Sequence, residues 1–363
     1  LLLVVQSALR SDEPARPILR RAVDEVYVIE DSEQRAETLI RIAELYQSGG
    51  PALSVTGLIQ QAIPAIRAIP APYRRSVLFA RLADLAFVSN ETRLGNRLID
   101  IVLSEFRQID APSDAREAEQ LLSVIDLLAR LERSDEASQL LDLFDSPYHQ
   151  TRGLIVIAES SDAPDARLER LREAARRAVE IQEPERLVDA NIRLARGYLD
   201  AANPGAARPH ADAAAGGVIA NPALYSRIDL AGRTAETYVM LDELQLVREL
   251  LLNAPDDYIR GSVAVRTANR LIEETRLGLA DDFLTIALIA SDEATYLADG
   301  LRQQIVSGFA RTGSIRLAIR TLERIDDELL RARSVAELAV LAEPAGLVTP
   351  IYRADLASVL ASR

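Results

Sequence analysis

A phrase recurs about every forty residues along this chain: a small alanine inside an apolar helical stretch, then a turn, then a second apolar stretch with helical spacing. It reads Leu39-Ile40-Arg41-Ile42-Ala43-Glu44-Leu45-Tyr46 before Gly49-Gly50, and again from Leu78 to Ala86 around Leu82-Ala83 before Asn90. Further copies centre on Ile192-Arg193-Leu194-Ala195, Val265-Arg266-Thr267-Ala268 and Ala336-Glu337-Leu338-Ala339. Taking Ala43, Ala83, Asp126, Ala158, Ala195, Ala235, Ala268, Val306 and Ala339 as equivalent gives steps of 40, 43, 32, 37, 40, 33, 38 and 33 residues. Such a period belongs to two-helix units that stack on their neighbours.

The second half of each unit has apolar residues three and four apart, as in Leu58-Ile59-Ala62-Ile63-Ile66, Leu98-Ile99-Val102-Phe106 and Ala280-Leu284-Ala287-Leu288. That spacing buries one stripe of a helix. Units close on an apolar residue followed by Asp or Pro, with Arg and a small neighbour a few positions on. Examples are Ile69 to Tyr73-Arg74, Ile109-Asp110 to Arg116, Phe144-Asp145 to Arg152-Gly153, and Ile325-Asp326 to Arg331-Ala332. Asp or Ser there can cap the next helix, and Pro fits its first turn.

A chain of 363 residues exceeds what one globular core usually holds. Stacked repeats avoid the limit, because each packs only on its neighbours. Aromatic residues make up 4% with no Trp, so Ala and Leu do most of the packing, which suits close helix pairs. No β-branched alternating run bounded by hairpin turns is present. The expected class is all-α, an α-solenoid of about eight antiparallel helix pairs spanning residues 1–363 as a single domain.

Two stretches break the regularity. The helix from Ala166 to Ile181 carries Arg167, Arg170, Arg172, Arg176 and Arg177, balanced by Glu169, Glu173 and Glu180 at helical spacing, and reads as a solvated face. The small residues from Ala213 to Gly217 suit close helix approach, and Asn221-Pro222 restarts the pattern, so a weak subdivision near 220 is expected. The Leu1-Leu2-Leu3-Val4-Val5 start, without Met, reads as a cut first helix or the tail of a secretory segment. Residues 1–31 then form an incomplete first repeat.

The net charge of −13 would repel a phosphate backbone, so nucleic acid is not an expected partner. All 42 basic residues are Arg, which compositional bias in a GC-rich bacterial genome accounts for. With no Cys there is no disulfide framework and no thiol nucleophile, and no apolar run is long enough to span a membrane. The cytoplasm is the expected compartment, with the periplasm the alternative.

Tests for chemistry return little. His149 and His210 lie in different repeats without metal-ligand spacing. The pairs Asp256-Asp257, Asp281-Asp282 and Asp326-Asp327 lack the third Asp of a diphosphate-binding prenyl-transferring site, having Arg260, Thr285 and Leu330 three residues beyond. Phosphate-loop and nucleophile-elbow patterns are missing as well. No catalytic, cofactor-binding or metal-ligating residue is identified, and no cofactor is expected.

The unit Leu194-Ala195, Tyr198, Asn203, Ala207, Ala211 and Ala214 resembles the tetratricopeptide (TPR) family and its looser TPR-like relatives. The stretches Ala268 to Ala287 and Phe309 to Leu322 are similar to it, while the family's helix-A Trp is absent and its closing Pro irregular. The resemblance implies a right-handed superhelix whose first helices line a concave groove that binds a peptide or partner protein. Residues just after the small Ala would face that groove: Glu44, Asp84, Arg196, Glu236 and Asn269. The acidic members favour a basic or hydrogen-bonding ligand, and the Lys-rich clamp that chaperone-binding members use for an acidic C-terminus cannot form here.

The expected function is therefore a non-catalytic protein-interaction scaffold. The alternatives are a regulatory or sensor segment of a larger signalling protein and, from another class, an all-α enzyme with a carboxylate-lined cavity.

Overall fold

The computed structural model describes residues 15–49, 55–109, 111–294 and 296–342. The Leu1 to Val5 run and Gly50 lie outside the described residues. The chain divides into two compact units, residues 1–174 and 175–363. The division falls inside the Arg-rich helix, and the helices on either side of residue 220 pack on one another.

In the first unit the helices are α1 (Ala15–Val26), α2 (Ser32–Gly49), α3 (Val55–Arg67), α4 (Pro72–Val88), α5 (Thr92–Phe106), α6 (Ala115–Arg130), α7 (Ser134–Leu141) and α8 (Pro147–Glu159). The helix α9 (Pro164–Ala178) crosses the division. The second unit holds α10 (Pro184–Asp200), α11 (Pro204–Ala220), the single turn α12 (Pro222–Tyr225), α13 (Ile228–Met240), α14 (Leu244–Leu252), α15 (Asp257–Glu273), α16 (Leu277–Glu293), α17 (Ala298–Thr312), α18 (Ile315–Leu322) and α19 (Glu328–Ala342). Among the described residues there is no strand, and no helix is long and apolar enough to cross a membrane.

Within each unit the packing is that of an all-α solenoid. A first helix lies against its own second helix and against the next first helix, as α4 does on α5 and α6, and α15 on α16 and α17. The equivalent positions read from the sequence fall on successive first helices, and Ala43, Ala83, Ala158, Ala195, Ala235 and Ala268 are fully buried there. Two members are one residue out of register. On α6 the buried position is Ile125, leaving Asp126 half-exposed, and on α19 it is Leu338, leaving Ala339 exposed. A large aliphatic holds the site in both helices, so the alanine cue is lost.

The turn from first to second helix repeats one backbone solution. Asn90, Glu132, Ala202, Asp242, Thr275 and Gly313 each take a left-handed conformation, with φ of 61°, 60°, 52°, 60°, 60° and 83°. The next residue's N–H returns to a carbonyl five positions back, as from Glu91 to Ala86, Arg276 to Leu271 and Ser314 to Phe309, at 2.8 Å in all three. This pairing satisfies helix-end carbonyls that would otherwise lack partners. Only Gly313 is a glycine, and Thr275 is β-branched, the residue type least suited to positive φ. Thr275→Gly is therefore expected to stabilise the second unit by about 0.5–1 kcal/mol after allowing for glycine's freedom when unfolded. Thermal unfolding followed by circular dichroism should show a rise in Tm of roughly 1–4 °C.

The junction from second helix to next first helix is held by caps and by side-chain forks. Asp31 accepts from Gln34 N, Asp114 from Glu117 N, Asp256 from Ile259 N and Asp327 from Leu330 N, while Pro72, Pro147 and Pro184 open their helices. The recurring Arg has its own task. At these junctions Arg35 donates to Ile29 O at 2.6 and 2.8 Å and Arg75 to Ile69 O at 2.8 Å, each six residues back, a tie that Arg167 repeats onto Ser161 O at 2.7 Å in the first-to-second turn between α8 and α9. At the corresponding junction Gln150 donates to Phe144 O at 2.6 Å. After Ile69 it is thus Arg75 that ties the loop, whereas Arg74 pairs with Glu33 and Glu37.

The small-residue stretch in α11 serves close packing. A Cβ at Gly217 would meet Val188 Cγ2 of α10 at 2.6 Å, and Ala207, Ala211 and Ala214 are fully buried. Asn203 caps α11 through Ala206 N.

Candidate functional site

The five residues expected to line a groove all lie on first helices: Glu44 on α2, Asp84 on α4, Arg196 on α10, Glu236 on α13 and Asn269 on α15. Each reaches sideways to the neighbouring first helix. Glu44 accepts from Arg81 of α4 at 2.5 Å and from Arg41 of its own helix at 3.2 Å. Asp84 meets Arg130 of α6 at 3.4 Å, and Arg130 also holds Asp126 at 3.1 Å.

In the second unit the pairing is continuous. Asp189 of α10, only 7% exposed, accepts from Arg193 at 2.6 Å and from Arg233 of α13 at 2.5 Å. Glu236 lies between Arg196 of α10 at 2.5 Å and Arg266 of α15, and Arg266 also meets Asp229 at 2.7 Å. Asn269 Oδ1 accepts from Arg311 of α17 at 2.9 Å. The carboxylates expected to give an acidic groove thus face guanidinium groups of the next repeat. The residue positions followed from the TPR resemblance, as those just after the small Ala, but their partners lie 30 to 46 residues away, and no local spacing identifies them.

Two clefts open between these first helices. In the first unit a cleft of about 310 Å³ lies between α4 and α6, floored by Val77, Ala80, Val124 and Leu127, with Asp84 and Arg130 at its side. Glu44 lies outside it, although its partner Arg81 lines it. In the second unit a cleft of about 440 Å³ between α10, α13 and α15 brings Arg196, Glu236 and Asn269 together with Met240, Arg266 and Arg270. Three of the five expected residues therefore share one site, whose rim carries Asp200 and Glu273.

Both histidines are held by packing. His149 is buried, stacked on Phe144 with ring centroids 5.4 Å apart. His210 stacks on Tyr198 at 5.6 Å, its Nδ1 is 2.9 Å from Asn191 Oδ1, and burial lowers its pKa from the ordinary value. Among the described residues no group of three or more His, Asp or Glu is arranged to hold a metal ion.

No family model matches the chain, and no curated protein matches it. Among solved structures, Ton1535 from Thermococcus onnurineus NA1 is similar at 16% identity and a TM-score of 0.38, covering 90% of this chain and 96% of that one. Rap protein complexed with competence and sporulation factor is similar at 12% identity and a TM-score of 0.35, covering 93% and 97%. A circular tandem repeat protein aligns at 15% identity and a TM-score of 0.27, covering 99% and 93%.

Proposed function

We propose that this chain is a non-catalytic, TPR-like scaffold that holds a protein or peptide partner along the faces of its first helices. The observation that carries the reading is the cleft between α10, α13 and α15, where polar side chains of three repeats converge on one concavity of about 440 Å³. The order of small and large residues in the unit from Leu194 to Ala214 supports the TPR-like assignment, since each of its apolar members is buried.

Enzymatic use of the cleft is disfavoured by how its carboxylate is committed. Both oxygens of Glu236 accept from guanidinium groups, which suits a rigid recognition surface better than proton transfer. The site residues we assign to partner binding are Arg196, Glu236 and Asn269 in the second unit, and Asp84 with its cleft in the first. Glu44 contributes by positioning Arg81.

Affinity capture from a lysate of the source organism tests the scaffold role. Immobilised chain should retain one dominant protein, and that protein should bind again when purified. Met240→Glu combined with Asn269→Arg, which fills and recharges the cleft, should abolish retention, while Arg172→Glu on the exposed face of α9 should not. Equal retention by the cleft variant, or no retained protein at all, would sink the proposal.

A further inference from the structure

Arg196 is under-used in the cleft of the second unit. A guanidinium carries five N–H donors. Arg196 engages Glu236 through Nη2, yet its Nε is buried with no hydrogen-bond partner among the described residues. An unmatched buried donor is costly, and the bond that would relieve it most is one to a charged acceptor.

The acceptors at the floor are already engaged. Glu236 gives Oε1 to Arg266 and Oε2 to Arg196. Asn269 has its oxygen taken by Arg311, so its amide nitrogen is what it presents to the cleft. At the mouth stands the exposed carboxylate of Glu273. Arg270 only grazes Glu273 at 3.5 Å while bonding Glu274 at 3.0 Å.

Resting on the scaffold reading above, we propose that this cleft accepts a peptide segment whose acidic side chain enters the floor against Arg196 and Asn269, flanked by a basic residue that meets Glu273. An acidic residue alone would have to pass the exposed carboxylate of Glu273 without compensation. A basic residue alone would face Arg196 and Arg266 and leave the buried Nε unmatched. Alternating charge is what matches donors at the floor to acceptors at the mouth.

The test uses the full chain and fluorescein-labelled nine-residue Gly/Ser peptides, acetylated and amidated, read by fluorescence anisotropy. Their centres are Lys-Glu-Lys, Lys-Gln-Lys and Gly-Glu-Gly, and a fourth peptide carries Lys-Gln before a free C-terminal carboxylate. Lys-Glu-Lys should bind best, with Lys-Gln-Lys weaker by roughly tenfold or more, since the ion-to-donor bond is lost. Gly-Glu-Gly should be weaker too, and its deficit should shrink at high salt.

Arg196→Met removes all five donors while Arg266 still holds Glu236, and it should erase the preference for Glu over Gln. Asn269→Leu, which spares the ion pairs, should narrow that preference and serves if Arg196→Met does not fold. Equal affinity for the Glu and Gln peptides, preference for the free C-terminus, undiminished preference in both variants, or no binding at millimolar peptide would overturn the assignment. A partner still captured as described above alongside such a result would leave the scaffold standing and remove only this specificity.

Discussion

Asp189→Ala is expected to lower the stability of the second unit by about 3 kcal/mol. The Asp189 side chain is 10% exposed and pairs with two guanidinium groups, one from its own helix and one from the next first helix. Of these, Arg233 has a side chain only 15% exposed, and its remaining partner, Asp229, is 3.7 Å away. Removing Asp189 therefore strands a mostly buried cation, which costs far more than loss of a surface ion pair. Thermal unfolding of the full chain at neutral pH should show Tm falling by roughly 6–12 °C for a unit of this size. Asp189→Leu with Arg233→Met should recover most of the loss, because it removes the charge and its partner together. If Asp189→Ala alone left Tm unchanged, the bridge between α10 and α13 would have no structural role.

Phe309→Ala should cost about 3–5 kcal/mol. The ring lies on α17 with no exposed surface, in a core built mostly from Ala, Leu, Ile and Val. Small neighbours cannot swing inward to fill the void. The same residue's carbonyl accepts Ser314 N at the α17–α18 turn, so a loosened helix end would also unseat α18. The expected readout is a lower urea midpoint with a shallower transition, since weakened coupling between neighbouring repeats splits their unfolding. An unchanged midpoint would show that the stack closes over the cavity.

The repeat was readable because burial here uses small residues at a fixed place on each first helix. Ala43, Ala195 and Ala268 stand out among larger apolar neighbours and fix the phase of everything around them. Where Ile125 and Leu338 take that place, the phase slips by one residue, because spacing alone does not distinguish adjacent positions on a helix. The turns show a similar limit. Asn90, Asp242 and Gly313 are residue types that tolerate positive φ and signal a turn in sequence, whereas Glu132, Ala202 and Thr275 adopt the same conformation without any such signal.

The candidate site was legible by halves. The TPR resemblance implied that Arg196, Glu236 and Asn269, each just after a small Ala, would face a common groove, and the structure gathers them in one cleft. Their electrostatic state was not legible. A chain with 42 arginines among 55 acidic residues offers each carboxylate several candidate partners, and which arginine takes it depends on how neighbouring repeats stagger. Glu236 reads as a bare negative charge in sequence and is the shared anchor of Arg196 and Arg266 in the fold.

The forks that Arg35 and Arg75 make onto the loops before them carry one more implication. Their acceptors are main-chain carbonyls, which every amino acid possesses. Such a tie recognises the path of the loop and is indifferent to its side chains. Junctions of this kind can exchange their residues freely while the spacing of six is kept, so adjoining repeats could diverge in sequence, or be recombined by design, without losing the corner that joins them.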